Sequence, residues 1–108
     1  MSGISRQLDE LLDLIRDDTI WYDTSPKWGS IGLDGALAVE AFFGSVEAAK
    51  KLHETALSDL EVACVPVGLG HIVYLRGYDH EFWSYNQSQA RAYLMTILKA
   101  LKEVKNLG

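Results

Sequence analysis

Cys64 is the sole cysteine among 108 residues, so no internal disulfide can form and a stapled secreted scaffold is excluded. No stretch reaches the roughly 18 consecutive apolar residues of a membrane span. The opening MSGISRQLDE has neither the basic start nor the apolar run of a signal peptide, and the expectation is a cytoplasmic chain. No repeat period and no biased tract is found. Basic residues are scarce early in the chain: residues 1–40 hold eight acids (Asp9, Glu10, Asp13, Asp17, Asp18, Asp23, Asp34, Glu40) and three bases (Arg6, Arg16, Lys27), whereas residues 41–108 hold seven of each. The whole net charge of −5 therefore sits in the first 40 residues. Without a basic stripe to displace counterions, nucleic acid and anionic membrane are disfavoured as partners, and a protein with a basic surface fits better.

What is present is ordinary globular composition, 48% hydrophobic and 23% charged, at a length suited to one domain spanning 1–108. Ile4, Leu8, Leu11, Leu12 and Ile15 follow helical spacing with an acidic opposite face, so residues 1–18 read as an amphipathic helix capped by Ser2 or Ser5 and stopped at Asp17-Asp18-Thr19. From Ile20 to Ile31, Pro26 and Gly29 break any period; this reads as a loop with a short extended piece at Ile20–Tyr22. Asp34 has the character of an N-cap for a helix to Phe43 with Gly44 behind it, and Ser45 opens a second start running to Leu57. Its apolar positions are Val46, Ala49, Leu52, His53 and Ala56; one bent helix and two short ones both satisfy this pattern.

Three β-rich runs follow, Glu61–Val67, His71–Gly77 and His80–Tyr85, joined by Gly68-Leu69-Gly70 and Gly77-Tyr78-Asp79, which are short enough to force antiparallel hairpins. Pro66 cannot donate to a ladder and puts the first strand at an edge. A last helix begins at an Asn86 or Ser88 cap, with Ala90, Tyr93, Leu94, Ile97, Leu98, Leu101 and Val104 on one face and Lys99, Lys102 and Lys105 opposite. The fold class is therefore α+β: an N-terminal helix, then helix, three-stranded antiparallel meander and long C-terminal helix. Alternation sends His71, Val73, Leu75 and Phe82 toward the helices, and Ile72, Tyr74, Arg76, Glu81, Trp83 and Tyr85 to the other face.

The helix start Ser45-Val46-Glu47-Ala48-Ala49, the aromatic run Phe82-Trp83-Ser84-Tyr85 and the final helix reading Gln89-Ala90-Arg91-Ala92-Tyr93-Leu94 onward to Leu98-Lys99-Ala100-Leu101 resemble the phage ABA sandwich domain proteins, small phage and prophage proteins of unknown function. The resemblance covers about residues 45–101 and implies a helix layer on each side of the sheet and a phage or prophage origin. It carries over no catalytic residues. The helix, three strands, helix order is also similar to double-stranded RNA-binding domains, but those need a basic start to the last helix, and here it opens Asn86-Gln87-Ser88-Gln89-Ala90-Arg91.

Chemistry is sparse. His53, His71, His80, Asp79, Glu81 and Cys64 are ligand types, yet no His-x-His, His-x-x-x-His or Cys-x-x-Cys spacing occurs, so no metal and no cofactor is expected. Cys64, in the apolar Val62-Ala63-Cys64-Val65-Pro66, reads as a buried thiol packed as a small hydrophobe. A lone Gly68-x-Gly70 with no following helix is turn chemistry rather than a phosphate loop. An enzyme built on a Cys64–His71 dyad or on His71, Asp79 and His80 is one alternative. The reading these residues favour is a non-enzymatic binding protein whose partner surface is Tyr74, Arg76, Glu81, Trp83 and Tyr85, residue types that dominate protein–protein hot spots. The partner is a host protein or a second copy of the chain, and inhibition of a host defence or regulatory complex is the role by analogy. The N-terminal stripe needs burial, and the expectation is that it covers the Tyr74 and Trp83 face, with a self-associating homodimer as the alternative.

Overall fold

The computed structural model of the chain describes residues 3–16, 32–77 and 79–107, with the side chains of 6, 8–16, 32–77 and 79–103. The expected extended piece at Ile20–Tyr22 and the stop at Asp17-Asp18-Thr19 lie outside the described residues. Among the described residues four helices and three strands give an α+β fold in the order α1 (Gly3–Arg16), α2 (Gly35–Phe42), α3 (Val46–Ala56), β1 (Glu61–Val67), β2 (Gly70–Gly77), β3 (His80–Asn86) and α4 (Gln89–Leu107). The strands form one antiparallel sheet in the order β1-β2-β3.

Local chemistry sets the boundaries. Asp34 caps α2, its carboxylate accepting from the Ala36 and Leu37 amides at 2.9 and 3.2 Å, and the helix ends where Gly44 takes φ +112°, a conformation open to glycine at no steric cost. Ser45 then caps α3 through the Ala48 amide, which makes the segment two helices rather than one bent one. Ser88 caps α4 by accepting from the Arg91 amide, while Asn86 accepts from the Ser88 amide in an Asx turn just before it. Of the two expected caps of α1, Ser5 lies inside the helix, which begins at Gly3, and Ser2 lies outside the described residues. Ala49, Leu52 and His53 are buried on α3 as expected, whereas Val46, expected with them, is exposed and Ala48 is buried.

Between β1 and β2 the turn is the pair Gly68-Leu69, with Val67 opposite Gly70 and Gly68 at φ +59°, the backbone a two-residue hairpin needs at its first central position. Gly70 is required for a different reason: a Cβ there would lie 2.6 Å from the Tyr85 hydroxyl and 2.8 Å from the Asn86 carbonyl.

One core lies between sheet and helices. Val73 and Leu75 of β2 are fully buried against α4, whose residues Ala92–Leu98 are buried without interruption. A helix buried all round has neighbours on every side, and α4 touches β2, β3, α1, α2 and α3. This corrects the expectation for α1. Leu8, Leu11 and Ile15 are at most 1% exposed, packed along α4 in the same core, and α1 does not cover the face that carries Tyr74 and Trp83. Among the described residues the helices gather on the Val73 and Leu75 side of the sheet, and the thinnest dimension of the molecule is 21 Å, the depth of two packed layers.

Candidate functional site

The strand register builds the candidate surface row by row. Glu61, Arg76 and Glu81 lie side by side across the three strands, then Ala63, Tyr74 and Trp83, then Val65, Ile72 and Tyr85, all on the face turned away from the helices. The register therefore brings all five sequence-selected residues, Tyr74, Arg76, Glu81, Trp83 and Tyr85, onto one face. Trp83 is 52% exposed and Tyr85 46%, Val65 and Val67 are exposed to a similar degree, and Ile72 and Tyr74 are half-buried by their neighbours.

One end of this face is charged and internally matched. Arg76 Nε meets Glu81 Oε2 at 2.6 Å, and the guanidinium lies 5.3 Å from the centre of the Tyr74 ring, so the cation is held flat beside the aromatic patch. Both partners are solvated, and the pair orients side chains more than it stabilises the fold. At the β3 edge Lys99 reaches out of α4; its ammonium donates to the Trp83 carbonyl at 2.8 Å and sits 5.6 Å from the Trp83 ring centre. Partial burial lowers the Lys99 pKa, since desolvation disfavours the charged form. The result is an apolar, aromatic field with an ionic row at one end, Glu61 and Glu81 against the single Arg76, and a cation at its edge.

The alternative centre around Cys64 takes a different form from that expected. Cys64 is exposed rather than buried, because β1 is an edge strand paired with β2 and α3 and α4 stand across an open groove from it. Its partner in register is Val73; His71 faces Pro66, two residues along, and is a diagonal neighbour of Cys64. The groove beneath β1, about 310 Å³, is lined by Cys64 and Val62 on one side and by Lys50, His53, Glu54 and Tyr93 on the other. His53 is the polar residue that sequence reasoning left among apolar positions. Its Nε2 is 2.7 Å from the Leu60 carbonyl, which can only accept, so that nitrogen carries the proton and Nδ1 accepts from the Tyr93 hydroxyl at 2.6 Å. With both ring nitrogens engaged, His53 is a structural tie between α3, the turn before β1 and α4, with no lone pair left for the Cys64 thiol. Burial, and then the negative charges of Cys64 and Glu54, push the Tyr93 pKa well above its ordinary value, which keeps the phenol protonated as a donor.

His80 stacks on Phe82 on the helix side, whereas Glu81 points to the open face. Among the described residues no three His, Cys, Asp or Glu side chains are grouped to hold a metal ion, and no helix is long and apolar enough to cross a membrane. Comparison with protein-family models, curated proteins and solved structures finds no match in any of the three, so nothing there bears on the resemblance to phage ABA sandwich proteins.

Proposed function

We propose that this protein is a non-catalytic binding protein that grips a partner protein with the open face of its sheet. The observation that carries the reading is the placement of Trp83 and Tyr85, half-exposed beside Tyr74, Val65 and Ile72 on a face that no described helix covers. Tryptophan and tyrosine offer large rigid contact area with a polar tip and concentrate binding energy when a partner excludes water from them. The solvated carboxylates of Glu61 and Glu81 at the end of the patch, with the net charge of −5, favour a partner with a basic rim. A small phage-encoded inhibitor of a host complex is a role this mode of action serves.

The test is affinity capture with the full chain against its Trp83→Ala/Tyr85→Ala variant, followed by direct titration of the captured protein. The variant should keep its fold and lose at least tenfold in affinity. Equal binding by both chains would place the contact elsewhere and end this reading.

A further inference from the structure

The two edges of the sheet are unequal. Along β3 the outward carbonyl of Trp83 is already bonded to the Lys99 ammonium, so a further strand would meet a positive charge and an occupied acceptor, a usual defence of edge strands. Among the described residues no cation guards β1 in this way. All seven of its residues are exposed, Val62, Val65 and Val67 at 41–43%, and its single charge, Glu61, stands at the first position. Because the two-residue turn makes Val67 and Gly70 a hydrogen-bonded pair, alternation directs the N–H and C=O groups of Val62 and Cys64 to the free edge, where the N–H that Pro66 lacks would also fall.

We infer that β1 pairs with β1 of a second copy of this chain, antiparallel about a two-fold axis at Ala63, to give a continuous six-stranded sheet. In this register Val62 of each copy faces Cys64 of the other, both with complete donors and acceptors, and Pro66 lies beyond the paired segment. Small Ala63 side chains meet at the axis, where a non-hydrogen-bonded pair brings Cα atoms to about 4.5 Å. The register also avoids a like-charge clash: each Glu61 faces Val65 of the other copy, so the two carboxylates stand at opposite ends. The grooves beneath β1 adjoin, each bringing one Lys50 and one Glu54. Pairing would join two open faces of three strands, each of about 350 Å², into one of about 700 Å². The inference extends the binding reading by supplying a wider platform for a partner.

The experiment is sedimentation of the full chain across micromolar concentrations beside Ala63→Lys, whose exposed site leaves the monomer's fold intact by circular dichroism. The wild type should show twice the mass of one 12.0 kDa chain, and Ala63→Lys the mass of one. Independently, Ala63→Cys in a Cys64→Ser background should form an intermolecular disulfide under mild oxidation, at a Cα separation such bonds accept. A wild type that stays monomeric overturns the inference, as does a dimer that Ala63→Lys leaves intact or that fails to cross-link at position 63. A monomer that still captures a partner through Trp83 would sink the pairing and spare the binding reading; a dimer that captures nothing would do the reverse.

Discussion

Tyr93 and His53 show how one buried polar pair can hold three elements together. The Tyr93 hydroxyl fills the Nδ1 acceptor of a ring whose other nitrogen is committed to Leu60. Removing it by Tyr93→Phe leaves that acceptor buried and unmatched, at a cost of about 1–2 kcal/mol in a urea melt. The phenol also sets an alkaline limit. Its folded pKa lies above the unfolded value, so folding retains a proton that the unfolded chain releases. Stability from this group is complete below about pH 10, the unfolded value, and declines as pH climbs above it. Tyr93→Phe should flatten that decline, measured as melting temperature against pH. Ser84 is the opposite case: its hydroxyl is buried on β3 without a hydrogen-bond partner among the described residues. Ser84→Ala should therefore be neutral or stabilise by up to about 1 kcal/mol, and a clear loss in the same melt would reveal an unseen bond.

Among the elements, the β1–β2 hairpin and α1 are the most exposed to single changes. The turn tolerates its short length because Gly70 leaves room for Tyr85 and the Asn86 carbonyl. Gly70→Ala puts a methyl group into backbone, and a loss of about 1–3 kcal/mol is expected from chemical denaturation. α1 is joined to α4 by Leu8, Leu11 and Ile15 and only trimmed by the solvated Lys102–Asp9 bridge at 2.8 Å. Leu11→Asp would bury an unpaired carboxylate and should cost more than about 2 kcal/mol, whereas Asp9→Ala should cost under about 1 kcal/mol. A Leu11→Asp chain that melts like wild type would show that α1 packs elsewhere in solution.

Over the whole molecule these assignments separate stability from recognition. Among the described residues, helices on one face supply the core, and the other face of the sheet carries Trp83, Tyr85, Tyr74 and Val65. Trp83→Ala should leave the melting temperature of the dilute chain nearly unchanged, because little burial is lost, while abolishing partner capture; a loss of more than about 2 kcal/mol would mean the ring is packed as core.

The sequence by itself determined the elements and their faces. Asp34, Ser45 and Ser88 cap helices because a side-chain oxygen next to free amides is a local interaction, and Gly44 and Gly68 mark turns because positive φ is a property of one residue. Strict alternation was enough to put Tyr74, Arg76, Glu81, Trp83 and Tyr85 on one face, since a period of two leaves no freedom once the hairpins close. Which surfaces meet was decided only by tertiary structure. The α1 stripe required an apolar partner without naming it, and α4 supplied one because its buried surface extends all round, through Ala92, Met95 and Thr96 as well as the predicted positions. Cys64 reads as interior from its apolar neighbours, yet β1 is a sheet edge with an open groove between it and the helices. Burial is a property of what lies opposite a residue, and one strand's pattern records which side faces a layer only if a layer is there.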